Sequence, residues 1–170
     1  FSNCTSLNEL DLKRVTVIGS GCFQNDTAIT GVTLPQEVET IGSYAFYGAN
    51  NLGGDLVIPS TVTSIEEGAF AGTSINSLTI GEGNGGMTIG AYAFEKCVNL
   101  KYANLSNRIK EIRTSAFQYD TMLVWVRIAD GNYTLTIGDA AFSGNKHLKA
   151  ISLPTKTTNI KYVAFANCSN

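Results

Sequence analysis

Residues that commonly perform catalysis are few and scattered in this chain. His147 is the single histidine, and the residues around it predict a surface turn before a core leucine. The sequence contains no paired histidines, no Cys-x-x-Cys motif and no calcium-binding loop, so we expect no metal site and no cofactor. The glycine run 81–86 lacks the lysine of a phosphate-binding loop, and we interpret it as a flexible insertion. The sequence therefore predicts a noncatalytic protein.

A different chemistry, recognition by aromatic and basic side chains, is concentrated in the second half of the chain. Tyr102, Trp125 and Arg127 belong to the residue types enriched in binding hot spots, and Trp125 is the only tryptophan. An alternative interpretation is that Trp125 packs on Tyr102 as a cross-strand pair worth about 0.2–1 kcal/mol. We expect Lys101 and Lys149 at the rim of this site. The candidate ligand-binding residues are Thr79, Tyr102, Asn104, Trp125 and Arg127.

These residues belong to a chain that repeats one pattern seven times. Each copy begins with isoleucine and ends in Ala-Phe, with cysteine in place of the alanine in the first copy, and the copies recur every 23 to 25 residues. A fixed period in this range is typical of stacked-repeat proteins, in which neighbouring turns share one hydrophobic layer. We therefore expect the phenylalanines to form an interior column, in which each truncation to alanine costs about 3–5 kcal/mol. The repeat phenylalanines are Phe23, Phe46, Phe70, Phe94, Phe117, Phe142 and Phe165.

Each repeat contains two extended segments and a turn. Segments such as Val32-x-Leu34 and Ile151-x-Leu153 alternate with period two, which predicts short parallel strands about 4.8 Å apart, with every second side chain facing outward. The Val-x-x-Ile segments predict a second and more irregular row of strands. Between them, Gly-x-x-Ala-Phe predicts a short 3₁₀ or single-turn helix, with glycine giving backbone freedom. The outward positions are Glu9, Asp11, Gly31, Thr33, Asp55, Val57, Ser77, Thr79, Tyr102, Asn104, Trp125, Arg127, Ala150 and Ser152.

Three of the four cysteines share one position of the repeat. Cys4, Cys97 and Cys168 each follow a repeat phenylalanine by three residues, where other turns carry residues such as Asp120 or Asn145. Three or four stacked turns separate these cysteines by roughly 14–19 Å, whereas a disulfide needs Cα atoms within about 7 Å. We therefore expect reduced cysteines that act as small buried side chains.

The ends and the charge of the chain also carry information. Phe1-x-x-Cys4 and Phe165-x-x-Cys168 stand at the same phase of the repeat, so we expect one array over residues 1–170 that is a piece of a longer array without terminal caps. Residues 1–95 carry ten acids against two bases, a net charge of −8, and residues 96–170 carry ten bases against four acids, a net charge of +6. Two interpretations stay open: solvated faces, or contact with an anionic partner or head-to-tail self-association.

The pattern Leu-x-x-Ile-x-Ile-Pro-x-x-Val-x-x-Ile-Gly-x-x-Ala-Phe-x-x-Cys resembles the leucine-rich repeats of the BspA type, also called the Treponema type. The resemblance covers the whole chain, although Glu66, Arg113 and Lys161 replace the glycine. It implies a right-handed leucine-rich-repeat solenoid of about seven repeats, mainly β with short 3₁₀ or helical turns. It also implies secretion or exposure at the surface of host-associated bacteria or some mucosal parasites, and a role in adhesion.

We hence expect a recognition or adhesion module that binds a host or microbial protein or glycan, such as an extracellular-matrix protein or a receptor, through its parallel-sheet face. The alternative hypothesis is a structural spacer in a larger surface protein, with no ligand of its own. We expect neither nucleic-acid binding nor membrane insertion, because the net charge is only −2 and no long apolar run occurs.

Overall fold

A computed structural model describes residues 1–4 and 6–169, which form stacked turns of parallel β-strands. The predicted leucine-rich-repeat solenoid is confirmed. None of the described residues forms a helix with the length and hydrophobicity that a membrane crossing requires. The strands are β1 (Val17–Ile18), β2 (Thr40–Ile41), β3 (Gly53–Ile58), β4 (Ser64–Ile65), β5 (Ser74–Ile80), β6 (Met87–Ile89), β7 (Tyr102–Leu105), β8 (Ile109–Ile112), β9 (Trp125–Ile128), β10 (Leu135–Ile137), β11 (Ala150–Ser152) and β12 (Thr157–Ile160).

The longer sheet contains one short strand from each of the seven repeats, in the order β1-β2-β4-β6-β8-β10-β12. Its register aligns the isoleucine that precedes each turn, for example Ile18 with Ile41 and Ile41 with Ile65. These isoleucines are buried as far as Ile137, while Ile160 in the last strand is 52% exposed. The segments for which the sequence predicted a secondary, irregular row therefore form the sheet that runs through all repeats.

The second sheet contains five strands in the order β11-β9-β7-β5-β3. Its inward residues are apolar, and Leu56, Leu78 and Val126 are almost completely buried. The side chains between them face solvent, so the alternation predicted for these five strands is confirmed. The register places Tyr102 beside Trp125 and Asn104 beside Arg127.

The eight phenylalanines of the chain form one column, whose rings are buried from Phe23 to Phe142. Neighbouring rings are nearly parallel in every step, with centroids 5.1–5.9 Å apart. The backbone reinforces the column, because the amide of each inner phenylalanine donates to the carbonyl oxygen of the alanine one turn later, as from Phe46 to Ala69 at 2.7 Å and from Phe94 to Ala116 at 2.8 Å. The rings and these hydrogen bonds together hold the turns at a constant spacing.

The turns differ from the predicted 3₁₀ or single-turn helices, because the described residues of these segments form no helix. Each turn is a succession of hydrogen-bonded β-turns interrupted by two residues with positive φ, four positions apart. In the second repeat these residues are Tyr44 at 58° and Gly48 at 68°. A left-handed residue at this spacing stops a right-handed helix from continuing. The sequence concealed this feature because most of these positions are not glycine, and Val163 even carries a β-branched side chain at φ 48°.

Glycine follows the isoleucine of the repeat for a different physical reason from the predicted backbone freedom. Gly42 does not have a positive φ, but a Cβ added there would lie 2.7 Å from the backbone nitrogen of Ser20. At Gly138 a Cβ would lie 2.8 Å from the backbone of Arg113 and Thr114. Close approach of the preceding turn, rather than backbone freedom, therefore favours glycine at these two positions.

The first two repeats do not contribute to the second sheet. The segments 9–11 and 31–33, predicted as outward-facing strands, form no strand, although Leu34 is still buried. Gly31 offers no side chain to a sheet surface. Strand β3 begins with Gly53 and Gly54; Gly54 has a φ of 79°, and the register between β3 and β5 shifts directly after it. Glycines and a bulge on facing segments weaken a strand pair. The parallel sheet therefore ends at β3.

Candidate binding face

Four outward side chains of β7 and β9 define what we call the aromatic face: Tyr102, Asn104, Trp125 and Arg127. Parallel pairing puts Tyr102 directly beside Trp125, and Asn104 directly beside Arg127. Tyr102 is 51% exposed and Trp125 is 37% exposed. Thr79 lies beside Asn104 on the next strand. The structure thus brings the candidate residues together, and binding by them stays a prediction.

The surroundings of the aromatic face are basic. Lys101 and Lys149 lie one residue before Tyr102 and Ala150, at the rim of the sheet, and both are exposed. The salt bridges of residues 1–4 and 6–169 all lie elsewhere, so these lysines and Arg127 carry charges that no acidic side chain neutralises. Asp55 is two strands away from Tyr102, and its carboxylate accepts a hydrogen bond of 2.6 Å from Ser77.

The opposite end of the same surface has the reverse character. Where the first two repeats leave the sheet, a groove of about 630 Å³ opens between residues 8–11, 30–33 and 53–55. It is lined by the acids Glu9, Asp11 and Asp55, and Lys13 pairs with Asp11 at 2.9 Å. That pairing lowers the pKa of Asp11. The outer surface therefore carries acids at this end and bases around the aromatic face.

The family of the chain follows from its repeats. The model of the BspA-type leucine-rich repeat region matches six copies, over residues 1–86 and 54–170. The chain belongs to the BspA-type leucine-rich repeat family. Among curated protein sequences, none matches it significantly.

The chain is also similar to solved structures of leucine-rich repeat proteins. The BspA-type array resembles a leucine-rich repeat protein of T. pallidum, with 25% identity and a TM-score of 0.74, over 90% of this chain and 70% of the other. A leucine-rich repeat protein of Bacteroides ovatus matches at 22% identity and a TM-score of 0.37, over 91% of this chain and 57% of the other. A leucine-rich cell surface protein of Faecalibacterium prausnitzii matches at 21% identity and a TM-score of 0.36, over 91% of this chain and 62% of the other.

Beneath the sheet, the BspA-type array contains a second column, which we call the inner column: the residues three positions after each phenylalanine. Cys97 occupies it after the fourth repeat phenylalanine, Phe94, and its thiol donates to the carbonyl oxygen of Phe70 at 3.2 Å. Burial raises the pKa of this thiol well above its usual range. The members of the inner column are Cys4, Asp26, Ala49, Thr73, Cys97, Asp120, Asn145 and Cys168.

The cysteines are free thiols in the structure, and Cys97 is the most buried of them, in agreement with its predicted role as a small interior side chain. Cys168 donates to the carbonyl oxygen of Phe142 at 3.2 Å in the same way as Cys97. Asp26 and Asp120 also bond to the backbone of the preceding turn, whereas Ala49 and Asn145 do not.

The glycine run 81–86, which the sequence predicted as a flexible insertion, is tied to the BspA-type array by side chains. Arg108 is 1% exposed and donates from Nε to the carbonyl oxygen of Gly81 at 3.0 Å and from its terminal nitrogen to that of Pro59 at 3.2 Å. The hydroxyl of Tyr133 donates to the carbonyl oxygen of Asn84 at 2.8 Å. The glycine run is therefore an anchored loop.

Sequence reasoning placed one candidate correctly and missed two features. His147 lies on the surface, where its Nδ1 is 2.6 Å from the carbonyl oxygen of Thr121. The burial of Arg108 was missed, because an isolated arginine between two repeats gives no signal. The buried Asp120 could have been found, since it stands at the same repeat position as the buried Cys97. Within the described ranges, no three potential ligands cluster as a metal site would require.

Proposed function

We propose that the chain is a noncatalytic recognition module of a secreted or surface-exposed protein, and that it binds an acidic patch of a partner protein through the aromatic face. The observation that carries the proposal is the exposed pair of Tyr102 and Trp125, in register beside Arg127. Tryptophan, tyrosine and arginine are the residues most enriched in binding hot spots. The secreted or surface location is supported by membership of the BspA-type family.

Charge and shape favour an acidic protein over other partners. Arg127, Lys101 and Lys149 have no acidic partner within the described part of the chain, so they are available to carboxylates of another molecule. The outward side chains of parallel strands form a flat array, which suits a protein surface better than a small ligand that needs a cavity. Association should therefore weaken with increasing salt.

The first experiment compares the unmodified chain with Trp125→Ala. Binding to immobilised extracellular-matrix proteins is measured at low and at physiological salt, with acidic glycans as a parallel arm. We expect Trp125→Ala to raise the Kd by about 30-fold or more, equivalent to about 2 kcal/mol, and to leave the urea midpoint almost unchanged.

Val57→Ala is the matched control, because Val57 is 56% exposed on the same sheet but two strands away from Asn104. It should not change the Kd. A Trp125→Ala variant that unfolds easily yet binds normally would mean that the indole only packs on the sheet. Binding to glycans alone would refute the proposed partner class.

The spacer hypothesis has its own support in the structure. The phenylalanine column and the longer sheet run through all seven repeats, which is what a stiff connecting element requires. The two hypotheses differ at the surface, since a spacer needs no chemically distinct patch. Equal and negligible binding of the unmodified chain and of Trp125→Ala would favour the spacer.

A further inference from the structure

Asp120 is a buried acid directly beneath the turn that leads to the aromatic face. It is completely buried, and its Oδ1 accepts a hydrogen bond of 2.8 Å from the amide of Cys97 in the preceding turn. Its carbonyl oxygen accepts a bond of 2.8 Å from Leu123, which closes the turn before Trp125. The same five-residue offset relates Cys97 to Tyr102, so each aromatic residue follows a member of the inner column at the same distance along the chain.

The second carboxyl oxygen of Asp120 has no partner among the described residues. Asn145, the next member of the inner column, is also buried, yet its amide does not bond to Asp120. No salt bridge of the described residues includes Asp120. An ionised carboxylate in this position would be a buried charge without a compensating cation, which is strongly unfavourable.

Neighbours in the inner column show how a neutral Asp120 would fit. The thiols of Cys97 and Cys168 each donate to the carbonyl oxygen of the phenylalanine in the preceding turn. A protonated carboxyl group provides a donor at the same position, and the carbonyl oxygen of Phe94 is the equivalent acceptor. The protonated form offers a donor to that acceptor, whereas the ionised form has no donor to offer and needs a second one for its Oδ2.

We propose that Asp120 is held in its protonated form and serves as a pH-sensitive latch for the turn that positions Trp125. Loss of the proton opens this turn to water and displaces the indole, so the array is most stable at acidic pH. The link to partner binding rests on the proposed function, but the latch itself is a property of the fold.

The electrostatic surroundings favour the proton. Burial raises the pKa of Asp120 well above its usual range. The hydrogen bond from the amide of Cys97 lowers this pKa, and the negative charge of Glu95 raises it further. Because the folded-state pKa is above the unfolded value of about 3.9, the folded chain binds an extra proton. The stability that the protonated Asp120 contributes is fully present below about pH 4 and is lost as the pH rises through the folded-state pKa of Asp120.

The test is urea unfolding followed by the fluorescence of Trp125, the only tryptophan of the chain, from about pH 4 to about pH 8. We expect the unfolding constant of the unmodified chain to rise by about tenfold per pH unit until the folded-state pKa is reached. Asp120→Asn keeps an acceptor and a donor without the charge, so it should remove this slope. The variant should match the unmodified chain at about pH 4 and withstand more urea at about pH 8.

Three variants identify the group that titrates. Asp139→Asn removes an exposed carboxylate of the same half and should keep the slope, as should His147→Gln, which removes the nearby surface imidazole. Asp26 occupies the inner column of the first half with the same unpartnered Oδ2, so Asp26→Asn is the matched substitution within the inner column and should leave the difference between the unmodified chain and Asp120→Asn in place. An Asp120→Asn variant with an unchanged slope, or one that is less stable at every pH, would overturn the latch.

The unfolding test needs no partner, so it remains valid if the proposed function fails. If the aromatic face binds as proposed, the Kd of the unmodified chain should rise from about pH 5 to about pH 8, and that of Asp120→Asn should rise less. A pH-independent Kd combined with the expected unfolding slope would refute only the coupling between latch and face.

Discussion

The first two repeats and the last five share one interior but have different surfaces. In both regions phenylalanine rings stack at about the same distance, 5.1 Å around Phe46 and 5.1 Å around Phe117. Only the later region forms the second sheet and displays aromatic and basic side chains, whereas the earlier region opens into an acidic groove. The comparison shows that the buried pattern is sufficient to stack the turns, and that glycines and a register shift at Gly53 and Gly54 decide where neighbouring strands stop pairing.

The largest effect should come from the shared interior. Phe46→Ala and Phe117→Ala each remove a fully buried ring that has a stacked neighbour on both sides, so each should lower the free energy of unfolding by about 3–5 kcal/mol. Phe1→Ala is the control, because that ring is 76% exposed and should contribute much less. Urea unfolding provides the measurement. A much smaller cost at Phe46 than at Phe117 would show that the first region is not held by the column.

Glycines offer a test of intermediate size. Gly42→Ala places a methyl group 2.7 Å from the backbone of the preceding turn, and we expect a loss of about 1–3 kcal/mol. Gly31→Ala is matched to it, since a Cβ at Gly31 has nothing within 4 Å and its φ is not positive. That variant should gain about 0.4–1 kcal/mol through the unfolded state. Equal losses in thermal unfolding would contradict the distinction between a crowded and an open glycine.

The sequence was informative where a side chain's identity repeats. Three features recur at fixed positions of the repeat: the phenylalanines, the isoleucines before the turns, and the alternation of inward and outward residues in the five-stranded sheet. The stacked fold and the outward direction of Trp125 could therefore be predicted. The absence of a strand around Gly31 could not be predicted, because the inward residues Val32 and Leu34 keep the sequence pattern of a strand. Strand pairing there is lost through the backbone of Gly53 and Gly54, in the neighbouring repeat.

Backbone conformation was the second limit. Tyr44 and Val163 have positive φ values, which their side chains do not suggest, so the turns were predicted as helical. The candidate site was predictable in its position, because the repeat register alone puts Tyr102 next to Trp125. The burial of Asp120 was predictable from the repeat position that it shares with Cys97, but its unpartnered Oδ2 was not, since this depends on which side chains of the neighbouring turns lie beside it.

The smallest effect concerns the anchored loop, which occurs only in the later region. Tyr133→Phe removes one hydrogen bond, of 2.8 Å, from an exposed hydroxyl to the carbonyl oxygen of Asn84. We expect a loss of about 0.5–1.5 kcal/mol, at the lower end because water can replace the donor. Hydrogen exchange should be faster in residues 81–86 and unchanged in the longer sheet. Tyr162→Phe is the control, because Tyr162 is 79% exposed and should leave the loop unaffected. Unchanged exchange in Tyr133→Phe would mean that Arg108, with its bonds to Gly81 and Pro59, is sufficient to hold the loop.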